Sequence, residues 1–281
     1  MSKRKAVYEP KESPFLKGGR LTLYGRKPVL EALSNPKLTP QKLFISHQAQ
    51  GDLVKEIKRS AKEIGLPVQR CSAQALSRIS KQGRQDQGVA LDVQAPLLCS
   101  LEEGLKGISS SQFEFDPLMF LTDGIQNPSN LGLLIRTLCA TNLTALVVPK
   151  ARNTPLNPLV IKASAGVAFK APIWQVDHAL NAAHTLKQKG YHLFGLRGYE
   201  ATDLYDWSQE RLKDFKEESK PQKRVWVLGN ETEGISKELE PLIDTWVSLP
   251  MSRHVESLNV AVAGSIVAYE LYRISRMCTS T

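Results

Sequence analysis

Short apolar runs, each followed by a polar loop, are the feature that most constrains the fold of this chain. Residues 118–121 and 145–148 are wholly apolar, and the run 223–228 ends in four apolar side chains. Strands buried on both faces of a parallel sheet need such runs, because helices cover both sides of the sheet. Since segments with helical periodicity separate the runs, the chain from Leu118 onward is predicted to form a doubly wound parallel α/β sheet.

The same periodicities predict the other elements of this sheet. Asn130 or Ser129 is expected to cap the first helix, which runs to about Thr141. Further helices are predicted over residues 157–165, 178–189 and 235–243, and further strands over residues 173–176, 191–196 and 245–249. Residues 199–221 show no strong period and are therefore predicted to be a surface insertion.

The first third of the chain is predicted to be a smaller α/β domain. Helical patterns cover residues 26–33, 53–64 and 73–79, and extended patterns cover residues 42–46, 67–69 and 88–93. The predicted organisation is a flexible basic arm (1–20), this domain (21–95), a linker with one short helix near residues 101–105 (96–116), and a second domain (117–281).

The positive charge of the chain is confined to its first third. Residues 1–95 hold 18 Lys and Arg against 8 Asp and Glu, whereas the rest holds 19 against 20. A segment with a net charge of +10 attracts polyanions, so a nucleic acid is the expected partner. A surface kept positive for solubility is the alternative. The basic arm is expected either to add phosphate contacts or to have no function.

Several classes of protein are disfavoured. No apolar run reaches the length of about 18 to 20 residues that a membrane span needs. No apolar segment follows the basic start, so a cytoplasmic protein is expected rather than a secreted one. The four cysteines are scattered, which predicts reduced thiols and no metal site. Neither the glycine fingerprint of a dinucleotide-binding fold nor a P-loop is present, which nearly removes an oxidoreductase from consideration.

Three polar loops follow predicted buried strands and are expected to converge at the carboxyl edge of the sheet. They carry the motifs N-P-x-N-x-G-x-x-x-R-T at residues 127–137, L-G-N-E-x-x-G-I-S at residues 228–236, and P-M-S-R-H-V-E-S-L-N-V at residues 250–260. In this order they resemble the three motifs of the SpoU/TrmH family, the 2′-O-ribose RNA methyltransferases of the SPOUT class. The motifs Y-G-R at residues 24–26 and Q-G-V-A at residues 87–90 are similar to that family's L30e-like substrate-binding domain.

The resemblance implies a fold and an activity that the spacing of residues alone does not indicate. The sheet of this family ends in a deep trefoil knot, which is rare among proteins. The knot binds S-adenosylmethionine, and the final helix takes part in a homodimer. The expected reaction is methyl transfer to a ribose 2′-hydroxyl of tRNA or rRNA. The alternative is an RNA-binding paralogue that keeps the fold and has lost turnover.

The resemblance also implies roles for individual residues. The cofactor is expected to contact Gly229, Leu249, Met251 and Leu258. The expected catalytic set is the pair Asn130 and Arg136, with Glu231, Ser257 and Asn259 orienting them.

Arg136 is open to two interpretations. The family proposal makes it the base, yet a free guanidinium stays protonated at physiological pH. A bidentate grip on an RNA phosphate requires no loss of a proton.

Two positions depart from the family's pattern. Arg253 stands where the family usually has glycine, and Asp86 stands where a histidine often precedes Q-G-V. A large cation at position 253 is expected either to narrow the mouth of the site or to contact a phosphate, and it is the feature that favours the inactive paralogue. His254 lies beside Arg253 and is more consistent with a surface or core residue than with a ligand contact.

Overall fold

Two sheets organise the molecule. The computed structural model describes residues 20–36, 38–80, 83–94, 98–108, 116–198, 200–218, 221–252 and 257–279. A four-stranded sheet lies within residues 20–94, and an eight-stranded sheet contains the strands that follow. Residues 1–19, which make up nearly all of the predicted basic arm, are outside the described residues. None of the helices in the described part of the chain combines the length and apolarity that crossing a membrane requires.

In the first sheet, each of the first three strands leads into a helix. Its elements are β1 (Arg20–Tyr24), α1 (Arg26–Leu33), β2 (Pro40–Ser46), α2 (Asp52–Glu63), β3 (Val68–Cys71), α3 (Ala73–Ser80) and β4 (Val89–Gln94). The strand order is β1-β4-β2-β3, with β2 and β3 parallel and the other pairs antiparallel. The predicted helices and strands of this region are confirmed to within about two residues, and β1 adds a strand that the sequence did not reveal.

The second sheet is parallel throughout, as predicted. Its elements are β5 (Leu98–Ser100), α4 (Leu101–Lys106), β6 (Met119–Thr122), α5 (Pro128–Cys139), β7 (Ala145–Pro149), α6 (Pro158–Ala163), β8 (Ile173–Val176), α7 (Ala179–Gln188), β9 (His192–Leu196), β10 (Thr202–Asp203), α8 (Leu204–Glu218), β11 (Arg224–Leu228), β12 (Thr245–Ser248) and α9 (Val260–Thr279). The strand order is β10-β12-β9-β11-β6-β7-β8-β5.

Helices cover both faces of the second sheet. On one face, Phe120 and Trp226 belong to the core shared with α5, α8 and α9. On the other face, Leu121 and Val227 belong to the core shared with α7. Adjacent residues of β6 and β11 thus enter different cores, which explains why these strands read as continuous apolar runs.

Gly264 allows α9 to lie close to α5 and β11. A Cβ added there would lie 2.7 Å from Leu134 Cδ1 on α5 and 2.8 Å from Leu228 Cδ1 on β11. The glycine therefore brings the final helix directly against the end of a central strand. This contact holds the N-terminal end of α9 near the carboxyl edge of the sheet.

The cap of α5 differs from the prediction. Asn127, rather than Ser129 or Asn130, caps the helix, because its side chain accepts a hydrogen bond of 2.8 Å from the Ser129 amide. Pro128 occupies the first turn, where its missing N–H costs nothing. Asn130 consequently lies inside the helix, and its side chain is available for contacts with other loops.

Part of the predicted linker belongs to the second sheet. The short helix is confirmed as α4, which Ser100 and Glu103 start with a capping box. Residues 98–100, however, form β5 and pair with β8 at the edge of the sheet. A Cβ at Gly104 would lie 2.2 Å from the ring of Trp174 on β8, so α4 packs tightly on β8.

The predicted surface insertion at residues 199–221 is wrong. Its described residues form β10 and α8, and α8 buries Leu204, Trp207 and Arg211. Sequence periodicity concealed this helix because an arginine occupies its buried face. Arg211 is only 1% exposed, since its guanidinium donates two hydrogen bonds, of 2.8 and 2.6 Å, to the Asp116 carboxylate.

The predicted helix at residues 235–243 is also wrong. Only a 3₁₀ turn forms there, over Glu240–Leu242. The Leu239 and Glu240 amides both donate to the Ser236 carbonyl, while the Ser236 amide donates to Asp123 Oδ2 at 2.7 Å. Pro241 lacks an amide hydrogen and so cannot extend a regular helix.

Candidate active site

The carboxyl ends of β9, β11 and β12 surround one cavity of about 350 Å³. Its lining includes Leu196, Arg197, Gly198, Leu228, Gly229, Glu231, Glu233, Gly234, Glu240, Trp246, Leu249, Met251, Ser257, Leu258 and Val260. The four residues predicted to contact a cofactor are therefore brought together. The volume lies in the range of small-molecule sites.

A larger cavity of about 580 Å³ lies at the opposite, amino edge of the sheet. Its lining includes Lys106, Lys189, Tyr191 and Lys223, and it contains none of the predicted site residues. In open parallel sheets, ligands bind outside the carboxyl ends of strands. The smaller cavity is therefore the candidate site.

Gly229 allows the loop after β11 to fold back on itself. A Cβ at this position would lie 2.2 Å from the Gly234 carbonyl carbon and 2.3 Å from the Ile235 nitrogen. The Asn230 amide donates to the Gly234 carbonyl at 2.7 Å, and the Gly234 amide donates back at 3.0 Å. Gly234 has a φ of 73°, which favours glycine. The loop thus folds back tightly at Gly229, and residues 229–234 line the cavity together.

The loop after β6 is tied to the loop after β11. Asn230 Nδ2 donates to the Gly124 carbonyl at 2.7 Å, and the buried Asp123 accepts the Ser236 amide. The Asp123 amide in turn donates to the Leu228 carbonyl at 2.8 Å. Two loops more than 100 residues apart in sequence are consequently fixed relative to each other.

Asn130, Glu231 and Asn259 form a continuous chain of hydrogen bonds, here called the amide chain. Asn130 Nδ2 donates to Glu231 Oε1 at 2.7 Å, and Asn259 Nδ2 donates to Asn130 Oδ1 at 3.0 Å. Asn259 Oδ1 accepts the Ala261 amide at 2.9 Å and so caps α9. The amide chain joins the first turn of α5, the loop after β11 and the start of α9, and both polar atoms of the Asn130 amide are engaged.

Arg136 and Ser257 are not part of the amide chain. Arg136 lies on α5 nearly two turns beyond Asn130, and its residue is exposed. Ser257 is also exposed and lines the cavity. Arg253, His254 and Glu256 are outside the described residues.

Asp86 has a structural explanation. Its carboxylate accepts hydrogen bonds from the Ser80 hydroxyl at 3.0 Å and from the Gly88 amide at 2.9 Å. The residue is only 6% exposed. An aspartate at this position therefore fixes the turn that precedes β4.

Sequence reasoning missed one wall of the cavity. Arg197 and Gly198 follow β9, and Trp246 lies within β12. The available signal was the position of residues 197 and 198 at the end of a predicted strand. The wrong prediction of a surface insertion beginning at residue 199 hid this signal.

Comparisons with known proteins agree with this architecture. The model of the SpoU rRNA Methylase family matches residues 117–269, and the model described as RNA 2′-O ribose methyltransferase substrate binding matches residues 22–97. The 23S rRNA (guanosine-2′-O-)-methyltransferase RlmB of Xanthomonas campestris pv. campestris is 30% identical over 251 residues, which cover 89% of this chain and 95% of that protein.

Solved structures show the same fold. The SpoU methyltransferase AviRb from Streptomyces viridochromogenes, in complex with AdoMet, has a TM-score of 0.59 at 21% identity, covering 91% of this chain and 90% of that one. The AdoMet-bound rRNA methyltransferase from Sinorhizobium meliloti has a TM-score of 0.56 at 20% identity, covering 91% and 87%. From the matched family model and the identity to RlmB, this chain belongs to the SpoU rRNA methylase family.

Proposed function

We propose that this protein transfers a methyl group from S-adenosylmethionine to a ribose 2′-hydroxyl in tRNA or rRNA. The observation that carries the proposal is the amide chain, which stands beside a cavity of ligand size and includes three residues of the family's motifs. The alternative of an inactive paralogue depends on Arg253, which is outside the described residues. No described contact favours that alternative.

The cavity fits the cofactor in its chemistry. Leu228, Leu249 and Leu258 offer apolar contact, while the folded-back loop at Gly229 offers backbone groups of the kind that bind an adenine ring. The carboxylates of Glu231 and Glu240 lie on the cavity wall and suit a ligand with a cationic centre. When bound, the cofactor supplies an electrophilic methyl group on a sulfonium.

The amide chain positions the reacting groups. The Asn130 amide is held from both sides, so its orientation is set before RNA binds. Asn259 couples this orientation to the N-terminus of α9. We propose that Arg136 binds an RNA phosphate and does not act as the general base. An exposed guanidinium makes bidentate contacts with a phosphate without losing a proton.

We propose that RNA binds the end of the first sheet where α1, α2 and α3 begin. Three helix N-termini point to this end, and backbone N–H groups at such termini attract phosphates. Arg26 and Arg70 add cations there: Arg26 Nε donates to the Gln87 carbonyl at 3.1 Å, and Arg70 Nη2 donates to the His47 carbonyl at 3.4 Å. These contacts hold both guanidinium groups beside the helix starts.

We propose that the protein forms a homodimer through an interface that includes α9. Val262, Tyr269 and Met277 on this helix are 48%, 52% and 50% exposed, and Leu133 on the adjacent α5 is 47% exposed. Large apolar side chains left in water on neighbouring helices suit a self-complementary contact. Arg136 is also exposed on α5, so such a contact would bring it near the partner.

Three further features complete the proposal. The chain between β11 and α9 is threaded as a trefoil knot, which is supported by the position of Leu249, Met251 and Leu258 around one cavity with the loops after β9 and β11. The domains are residues 21–95 and 117–281, and residues 98–106 belong structurally to the second sheet.

The location is cytoplasmic, in keeping with the unpaired thiols of Cys71, Cys99 and Cys139.

Methylation with labelled cofactor tests this function. We expect purified protein to transfer the labelled methyl group to tRNA or rRNA from cells that lack the gene. Because a 2′-O-methyl group blocks alkaline cleavage of the adjacent phosphodiester, the label should appear in alkali-resistant dinucleotides. Label in single nucleotides would indicate base methylation, and no label in any RNA would favour the inactive paralogue.

Arg26→Ala and Arg70→Ala test the RNA surface. Each should weaken RNA binding uniformly across sequences and reduce the dependence of log affinity on log salt by about 1. Cofactor affinity should not change. Unchanged RNA affinity in the double variant would exclude this end of the first sheet.

A further inference from the structure

Arg197 and Trp246 form a stacked pair on the cavity wall that the proposed function does not yet use. The Arg197 guanidinium carbon lies 4.6 Å from the centre of the Trp246 ring, within the range of a cation–π contact. Both side chains line the cavity together with Gly229, Leu249 and Leu258. Both residues are partly exposed and line the cavity, and Trp246 also packs against the core that contains Leu121 and Val227.

The sheet fixes the position of this pair. Trp246 and Gly195 are register partners on the neighbouring strands β12 and β9. A Cβ at Gly195 would lie 2.7 Å from the Trp246 ring, so the glycine allows the indole to lie against the sheet. Arg197 directly follows the end of β9, two residues after Gly195, and its Nε and Nη2 both donate to the Glu200 carbonyl, Nε at 3.1 Å. The guanidinium is therefore held from two directions.

The charges around the cavity give Arg197 a distinct role. Among the described lining residues it is the single cation, whereas Glu231, Glu233 and Glu240 are carboxylates. Glu231 accepts a hydrogen bond from Asn130, and Glu233 pairs with Arg152 at 2.9 Å. A ligand that carries its own carboxylate would be repelled along most of this wall and attracted at Arg197.

We propose that Arg197, stacked on Trp246, binds the carboxylate of the cofactor's amino-acid part. This inference rests on the proposed function, since it assumes that the cavity holds S-adenosylmethionine. A planar guanidinium suits a carboxylate because it donates two parallel hydrogen bonds. Glu231 and Glu240 then face the cationic ammonium and sulfonium groups of the same ligand.

Binding of two small molecules distinguishes the contribution of this contact from that of the rest of the site. S-adenosylhomocysteine carries the amino-acid carboxylate, whereas 5′-methylthioadenosine has the same adenosine and thioether but lacks the amino-acid part. Arg197→Met removes the charge while keeping an unbranched side chain. Lys237→Met is the matched control, because Lys237 is an exposed cation in the segment after β11 that does not line the cavity.

Titration calorimetry of both molecules tests the proposal. In Arg197→Met, the affinity for S-adenosylhomocysteine should fall about 10- to 100-fold, as expected for loss of a hydrogen-bonded charge, while methylthioadenosine binding should change less than about 2-fold. Trp246→Leu should weaken S-adenosylhomocysteine by a smaller factor, and Trp246→Phe, which keeps an aromatic platform, by less still. Lys237→Met should bind both molecules as the wild type does.

Three results would overturn the inference. An unchanged affinity for S-adenosylhomocysteine in Arg197→Met would remove Arg197 from cofactor binding, and a rise in the RNA KM of that variant would reassign it to a phosphate. An equal loss for both molecules would mean that Arg197 shapes the cavity without contacting the carboxylate. In each of these cases, the proposed function would stand as long as the wild-type protein binds the two molecules. A wild-type protein that binds neither molecule would contradict both the proposed function and the role of Arg197.

Discussion

The two edges of the large sheet carry polar networks of opposite character. At the amino edge, Asp116, Arg211 and Arg224, here called the ionic cluster, lie almost entirely out of water, with side chains 7%, 1% and 9% exposed. At the carboxyl edge, the amide chain combines two neutral amides with one carboxylate, and Glu231 and Asn259 are exposed. Both networks join segments about 100 residues apart in sequence.

The ionic cluster attaches α8 to the sheet. Asp116 accepts both Arg211 donors, an Arg224 donor and the Gln222 amide. Arg224 also lies over the Trp207 ring at 5.3 Å. Burial lowers the pKa of Arg224, and Asp116 opposes that shift. The Asp116 carboxylate therefore contacts two buried guanidinium groups at once and is the centre of the cluster.

Stability and activity therefore depend on separate edges of the large sheet. Removing one partner of a buried ion pair leaves an uncompensated charge, whereas water can replace a partner of an exposed amide. The ionic cluster should therefore control the free energy of unfolding, and the amide chain should control turnover.

Asp116→Ala should have the largest effect on stability. The change leaves Arg211 and Arg224 buried without their carboxylate, which should lower the free energy of unfolding by about 3–5 kcal/mol. Urea denaturation measures the loss. Glu238→Ala, which removes an exposed carboxylate, should stay within about 0.5 kcal/mol of the wild type. A loss below about 1 kcal/mol in Asp116→Ala would show that the ionic cluster does not hold α8.

Arg136→Ala should have the largest effect on activity. Loss of a cation that stabilises the reacting RNA should reduce turnover by at least about 100-fold, with no change in the unfolding midpoint because the side chain is exposed. Lys162→Ala, on the neighbouring α6, removes an exposed cation as a control. Near-normal turnover in Arg136→Ala would exclude Arg136 from the reaction.

Asn130→Ala should affect turnover more than stability. The change removes the donor to Glu231 and the acceptor from Asn259, so we expect a loss of turnover of about 10- to 100-fold. The free energy of unfolding should fall by only about 1–2 kcal/mol, because both former partners reach water. A stability loss as large as that of Asp116→Ala, with turnover retained, would reverse the assignment of the two edges.

The sequence predicts the parts of the molecule that depend on local pattern. Apolar runs indicate the central strands of the parallel sheet, and the motif residues Gly229, Leu249 and Leu258 do line one cavity. The helix α8 escapes prediction because Arg211 occupies its buried face. Asp116, 95 residues earlier, makes that burial possible, and local periodicity contains no information about such a partner.

The site shows the same limit. Trp246 and Arg197 meet because β12 and β9 are neighbours, although 49 residues separate them in sequence. The turn at residues 235–243 forms because the Ser236 amide donates to Asp123, 113 residues away. Contacts fixed by strand order are therefore the part of the site that one sequence does not reveal.

Arg273→Met should have the smallest effect and tests whether burial, rather than ion pairing itself, gives the ionic cluster its importance. Arg273 pairs with Glu270 on α9 at 2.7 Å, and the two side chains are 49% and 8% exposed. Because water reaches the Arg273 side of the pair and Ser208 also hydrogen-bonds Glu270, loss of Arg273 should cost only about 1 kcal/mol. The hydrogen bond from Arg273 lowers the pKa of Glu270. A lowered pKa contributes stability above the ordinary carboxyl range, and this contribution is lost as the pH falls through the folded-state value. The variant should therefore lose less stability between neutral and acidic pH than the wild type, as measured by urea denaturation at several pH values. A loss comparable to that of Asp116→Ala would show that exposure does not decide the strength of these pairs.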